Sequence, residues 1–190
     1  MLVIAAVSSA VTLGLIACTS GSTAETAVQE VTMDSLVKRG SYLVNAMGCD
    51  DCHSPKSFGP QGPEVIEELR FSGYPSGRAL ASVDKAATQS WMLLGHDGTV
   101  AVGPWGASFA ANLTSDETGI GNWTEEQFIR ALREGKSKGL EEGRPLLPPM
   151  PWFVYRNLSD HDLKSIFAYL KSSKPVNNLV PAPKPLKELK

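Results

Sequence analysis

Cys49-Asp50-Asp51-Cys52-His53 constrains this chain more than any other stretch, because Cys-x-x-Cys-His is the pattern that carries a covalently attached c-type haem. If the motif continues a helix, its two sulfurs share one face and reach the same porphyrin edge. His53 follows at once, and a neutral imidazole suits iron. Two thioether tethers hold the ring against that imidazole, so ligation adds little ordering entropy. The motif therefore specifies attachment through Cys49 and Cys52 and one axial ligand, His53.

Other uses of a Cys-x-x-Cys pair fit less well. A structural zinc site needs four ligands. Outside the motif the chain offers only Cys18, close to its start, and the scattered His96 and His161. A thioredoxin-like dithiol belongs in a βαβ context, whereas the residues before Cys49 read as helix.

With 190 residues and 42% hydrophobic content, the chain suits one domain with extensions. Its 13 prolines and 17 glycines imply much loop, and the apolar faces of a haem help such a chain build a core. A formal net charge of -2 argues against a nucleic-acid partner, which calls for a strongly basic face.

Residues 1–17 carry no charge and are rich in Leu, Val, Ile and Ala, the character of a signal-peptide apolar core. They end in Leu15-Ile16-Ala17-Cys18, which resembles the lipobox of bacterial lipoprotein signal peptides and implies a lipid on Cys18. The pattern departs from that class in one respect, since Lys38 is the first basic residue. An ordinary cleaved signal or an uncleaved anchor is the alternative. Residues 18–31, mostly Ser, Thr, Gly, Ala and Glu, read as a flexible tether. The expected location is the bacterial periplasm or cell envelope, with the protein held to a membrane through its lipid.

A first helix is expected from near Thr32 or Asp34 to Met47, burying Leu36, Gly40, Leu43, Val44 and Met47 and feeding straight into the cysteine motif. Gly40 is costly inside a helix, so it marks a close approach, with the last helix as candidate partner. That last helix starts at Ser159, which caps it with Asp162 at the third position, and Pro175 stops it. Its apolar stripe is Leu163, Ile166, Phe167 and Leu170. Thr124-Glu125-Glu126-Gln127 is a capping box that opens another helix ending around Gly135. Between these landmarks, residues 63–70 suit a short helix with proline at its first position. Residues 91–102 suit a small hairpin turning at Gly95-His96-Asp97-Gly98. Trp105 is a candidate buried anchor.

Met150 is the candidate second axial ligand. It lies in Leu147-Pro148-Pro149-Met150-Pro151-Trp152, which prolines keep from being helical and hold stiff, so a thioether there has little freedom to lose. Met92 is the rival methionine, and His96 or His161 would make a bis-histidine site. Asp50 and Asp51 place negative charge beside the cysteines and favour a basic docking partner.

A first helix ending in Cys-x-x-Cys-His, a proline loop with methionine and an aromatic-bearing last helix resemble class I c-type cytochromes, over about residues 32–175. Gly103-Pro104-Trp105-Gly106, Asn112-Leu113-Thr114, Thr118-Gly119-Ile120-Gly121-Asn122-Trp123 and Pro148-Pro149-Met150-Pro151-Trp152 are similar to a bacterial subgroup whose members are often dehydrogenase cytochrome subunits or periplasmic carriers. The resemblance implies an all-α, class I cytochrome c fold, with N- and C-terminal helices packed around one covalent haem c, long loops and room for the small β-hairpin. It also implies a haem pocket lined by Trp105, Asn112, Gly119, Ile120, Gly121 and Trp123. Tyr42 and Gly40 are expected in the first-to-last helix contact, opposite Phe167 or Tyr169. The Pro60 or Pro63 carbonyl is expected to orient His53. Many members carry two or three haems, but one Cys-x-x-Cys-His excludes a tandem-haem role.

The function implied is that of an electron-transfer protein rather than an enzyme, exchanging single electrons with a dehydrogenase, a quinol-oxidising complex or a terminal oxidase. The alternatives are a fixed subunit of a membrane dehydrogenase or respiratory complex, docked through the Pro/Lys-rich extension 176–190, and a peroxidase or gas sensor with open iron. For the last, His96 or Arg144 would supply the distal group.

Overall fold

The computed structural model describes residues 32–190. The signal peptide, Cys18 and the tether expected at 18–31 lie outside the described residues. Helix α1, Met33–Ala46, begins where Thr32 accepts a hydrogen bond from the Ser35 amide on its side-chain oxygen. It buries Gly40, Leu43 and Val44, with Leu36 and Met47 half-buried. The helix does not run on into the cysteine motif. Gly48 adopts φ +68°, a left-handed conformation that breaks the helix, and Cys49–His53 forms a separate single turn, α2.

Two small sheets follow, so the chain is not all-α. Strands β1 (Lys56–Gly59) and β2 (Gly62–Val65) form an antiparallel hairpin, with Gly59 paired to Gly62 across Pro60-Gln61. Gly62 takes φ +107°, and that turn wins over the short helix expected at 63–70. Only Glu67–Leu69 coils, as a single 3-10 turn. Strands β3 (Leu93–Leu94), β4 (Val100–Gly103) and β5 (Gly106–Phe109) make a three-stranded antiparallel meander. The first pair is the hairpin expected around Gly95–Gly98. The third strand was not expected, although Pro104-Trp105 between two glycines is a turn signal that could have marked it.

Helix α3, Glu125–Glu134, has the full capping box: Thr124 accepts from the Gln127 amide and Gln127 accepts from the Thr124 amide. Gly135 closes it at φ +65°. A short helix α4, Trp152–Tyr155, precedes α5, Asp160–Lys171, whose Ser159 cap accepts from the Asp162 amide as expected. The helix has already ended before Pro175, in keeping with the aversion of the pre-proline residue to helical backbone.

The main core joins Leu43 and Val44 of α1, Phe128 and Leu132 of α3, Leu163, Ile166 and Leu170 of α5, and Phe71 and Ile120 from the loops. Helices α1 and α5 cross at Gly40. A Cβ there would lie 1.9 Å from the Ser165 carbonyl oxygen and 2.7 Å from the Tyr169 Cβ, so only glycine permits this approach. Arg39 adds an ion pair to Asp162 at 2.9 Å. Tyr42 is not part of the crossing. It is 64% exposed, with Arg39 over its ring, because its position in α1 faces away from α5.

Residues 176–190 lie along the domain. Lys184 pairs with Ala107 at the free edge of β5, Leu189 is buried with Val102 and Ala107, and the Val83 amide donates to the Lys190 carbonyl. Covering an open sheet edge in this way removes a site for unwanted strand pairing.

Gly40→Ala should lower stability by about 3 kcal/mol, the upper range for overpacking, since the obstacle is a backbone carbonyl that cannot swing away. Thermal unfolding reads this out, and an unchanged midpoint would contradict the close crossing.

Candidate haem-binding site

Cys49 and Cys52 stand on the single turn α2, both half-buried and neither in a disulfide. Burial, helped by the nearby Asp50 carboxylate, pushes the Cys49 thiol up to about 11, and burial likewise raises Cys52. Reactive redox dithiols depend on the opposite shift, a stabilised thiolate. Among the described residues no group of three or more His, Cys, Asp or Glu is gathered in the manner of a metal-ion site.

His53 is held from both its ring and its backbone. The ring Nδ1–H donates to the Ala111 carbonyl oxygen at 2.8 Å, and the His53 carbonyl accepts from the Gly73 amide at 2.8 Å. Neither Pro60 nor Pro63 serves as the orienting carbonyl. Both sit in the β1–β2 hairpin, which turns the chain away, while the strand leaving β5 brings Ala111 to the imidazole. Fixing the proton on Nδ1 leaves the Nε2 lone pair as the ligand atom. Burial lowers the imidazole pKa, the Ala111 bond opposing, so the ring is neutral near pH 7.

A polar network buttresses the turn from the other side. Asp50 takes a bidentate pair of bonds from Arg70, 2.7 Å at the closest, and a 2.6 Å bond from the Ser54 hydroxyl, which itself accepts from the Phe71 amide. Burial raises the Asp50 pKa, but the Arg70 and Ser54 bonds outweigh it and hold the carboxyl below its ordinary value. Arg70 also lies over the Phe71 ring, 4.6 Å from its centroid. Asp50 is therefore neutralised within the fold, and of this pair Asp51 is the exposed one that offers negative charge to a partner.

Met150 is half-buried against the main core, as is Cys49. Its loop is held at both ends. The Ser108 hydroxyl of β5 donates to the Pro148 carbonyl at 2.5 Å, and the Trp152 ring packs on Gly135, where a Cβ would lie 2.4 Å from it. Met92, the rival, is 45% exposed at the β3 edge. His96 is exposed beside Phe58, with ring centroids 5.3 Å apart, and His161 is exposed in the first turn of α5. Arg144 is also exposed and donates to the Pro145 carbonyl.

The remaining pocket candidates divide. Trp105, half-buried, packs on Gly103 and donates to Ser108, so it braces the methionine loop. Ile120 is fully buried in the main core and Trp123 packs against it. Asn112 is a hub of internal bonds: it accepts from Thr114 and donates to Thr118 and to the Val176 and Asn178 carbonyls. The Gly119 and Gly121 amides both donate to the Asp116 carbonyl. Their lack of side chains admits the neighbouring backbone, since a Cβ on either would lie 2.6 Å or less from a carbonyl oxygen. Sequence reasoning missed Ala111, Ser108, Ser54 and Arg70; the first acts through a backbone carbonyl, which no side-chain pattern reveals.

The donor set fits a tethered haem: two free thiols in one helical turn, followed by a neutral imidazole whose Nε2 is kept available. Comparison with known proteins points the same way. The chain is 41% identical to the fructose dehydrogenase cytochrome subunit of Gluconobacter japonicus over 150 residues, 78% of its length. It is 33% identical to the gluconate 2-dehydrogenase cytochrome c subunit of Pantoea cypripedii over 137 residues, 72% of its length. The chain is similar to cytochrome subunits of dehydrogenases. A shorter match, 44% identity over 80 residues and 42% of the chain, is to a nicotinate dehydrogenase subunit of Pseudomonas putida. These matches cover 23%, 23% and 6% of the respective relatives, so the chain spans less than a quarter of their length. No protein-family model matches the chain.

The β3–β4 turn, in which a Cβ on Gly98 would lie 2.2 Å from the Asp51 carbonyl oxygen of α2, is stabilised by a second ion pair. Arg78 bonds Asp97 at 2.6 Å, and the Asp97 side chain is fully buried. Burial raises the Asp97 pKa, yet the Arg78 and Thr99 hydrogen bonds more than offset it, leaving the group below its ordinary 3.8. A carboxyl depressed on folding contributes stability above its unfolded pKa and loses it as pH falls through the lower folded value. The wild type should therefore lose part of its stability below about pH 4. Asp97→Asn should start about 2 kcal/mol less stable at neutral pH, a figure discounted for the partial exposure of Arg78, and show a shallower acid limb. Parallel acid limbs in melts of the two proteins would contradict this assignment.

Proposed function

We propose that this chain is a monohaem c-type cytochrome of class I fold that carries single electrons to or from a dehydrogenase. The observation that carries the reading is the His53 Nδ1–Ala111 bond, which leaves Nε2 available as a ligand atom directly after two cysteines on the same turn. Cys49 and Cys52 would hold the haem through thioethers, and His53 and Met150 would ligate its iron. Ile120, Trp123 and Trp105 supply apolar walls. When bound, haem supplies a one-electron ferric/ferrous couple, whose potential a thioether ligand raises.

The protein residues need perform no proton transfer. They hold the imidazole in one tautomer and brace the methionine loop against the sheet through Ser108, so both side chains would be set to ligate iron and oxidation would require little rearrangement. The partner is a dehydrogenase, in line with the names of the relatives, and docking leaves Asp51 as the exposed acidic contact. Whether the chain is a carrier or a fixed subunit is separated by co-purification, since only a subunit stays with its dehydrogenase through salt and dilution. For location, the proposal is a lipid on Cys18 and attachment to a membrane of the bacterial envelope. No described helix is long and apolar enough to cross a membrane.

In optical spectra the oxidised protein should show a thioether-to-iron charge-transfer band that Met150→Ala abolishes. The reduced wild type should be indifferent to carbon monoxide, while the variant binds it. A wild type that binds carbon monoxide readily and lacks the band has an open iron, and the carrier reading fails. Intact mass should place the mature N-terminus at Cys18 with added acyl chains. An unmodified N-terminus elsewhere would remove the lipoprotein assignment without touching the electron-transfer one.

A further inference from the structure

Lys56, the first residue of β1, is enclosed by backbone oxygens. Its Nζ lies 2.9 Å from the Asp50 carbonyl, 2.8 Å from Asp51, 2.9 Å from Ser54 and 3.0 Å from Asp97. An ammonium has three N–H groups, so four acceptors share three donors. Three of these oxygens belong to α2 and the residue after it. The last carbonyls of a helix have no partner inside it, and a cation is favoured there.

The fourth oxygen comes from the β3–β4 turn, which is pressed onto the same place. A Cβ on Gly98 would lie 2.2 Å from the Asp51 carbonyl oxygen, and Gly98 holds φ +79°. Lys56 therefore clamps this turn to the attachment helix. Its charge environment also differs from that of the neighbouring cations. Arg70 is paired with Asp50 and Arg78 with Asp97, whereas Lys56 makes no ion pair among the described residues: its direct partners are carbonyl oxygens, and the Asp50 carboxylate feels its charge from further off.

We propose that Lys56 is a positioning residue for the Cys49–His53 turn, and that its clamped ammonium raises the reduction potential of a haem held there. This inference rests on the haem reading above. The bonds reach residues on both sides of His53, at Asp51 and Ser54, so the charge is fixed beside the ligand that binds iron. Oxidation adds a positive charge to the centre, and a nearby fixed cation opposes it. For a unit charge in a protein environment the effect on the one-electron equilibrium is about three- to tenfold.

The test uses the full chain matured with haem, as wild type, Lys56→Gln and Lys56→Arg. Covalent haem on the wild type is checked first by intact mass, and its absence would bring down the haem reading rather than this inference. Redox titration should then show Lys56→Gln shifted about three- to tenfold toward the oxidised form, tenfold being 59 mV for one electron. Lys56→Arg, which keeps the charge, should stay within about twofold of wild type. Haem attachment lost in Lys56→Gln but kept in Lys56→Arg also supports the proposal. If Lys56→Gln melts earlier but keeps the wild-type potential, Lys56 is a structural prop only and the proposal is overturned. It is overturned equally if neither variant attaches haem, because charge is then not the property required.

Discussion

The hydrogen bond from the His53 ring to the Ala111 carbonyl is the constraint to which the rest of the structure answers. A lone imidazole on a five-residue turn has a tautomer to choose and a ring to orient. Both are settled by an oxygen fifty-eight positions further on. Bringing that oxygen into place requires β5 to deliver residues 110–112, and β5 is in register only because β4 pairs with it. The small sheet is thus a device for placing one carbonyl and, through Ser108, one methionine loop.

The helical frame supplies the opposite wall. Crossing α1 and α5 at Gly40 brings their backbones together, so Leu43, Val44, Leu163 and Ile166 form a continuous apolar surface with Phe128 and Ile120. Cys49 and Met150 both rest on that surface, although they arrive from different parts of the chain. Charged groups near the turn are satisfied by short, specific bonds: Asp50 by Arg70, Asp97 by Arg78, the helix carbonyls by Lys56.

Features set by neighbours in sequence were legible from the sequence alone. The caps at Thr124 and Ser159, the apolar face of α1 and the meaning of Gly40 all rest on local patterns a few residues long. The Cys49–His53 motif is a local pattern of the same kind. What escaped depends on contacts between distant segments. Residues 63–70 carry a helical signal that the Gly59–Gly62 turn overrides, and Tyr42 lies on the side of α1 that faces away from α5. Ala111 has no side chain to announce its task. Asp50 looked like free surface charge because nothing in the sequence says that Arg70 folds back onto it. The all-α expectation failed similarly, since strands of four residues barely register as patterns until their partners are known.

The strap at the end of the chain gives the site an unusual dependence on topology. Asn178 donates to the Ser72 and Tyr74 carbonyls, 106 and 104 positions earlier, and its amide reaches Thr118. Gly73, between those two carbonyls, is the residue that holds the His53 backbone, and Asn112, which binds the strap, is next to Ala111. Both brackets around the imidazole are therefore latched by residues 176–178, distant in sequence from either. Loop closures this long are the entropically expensive ones and are made late in folding. The Cys49–His53 turn is built early from local contacts, but the rigidity of its imidazole is conferred by segments more than fifty positions away.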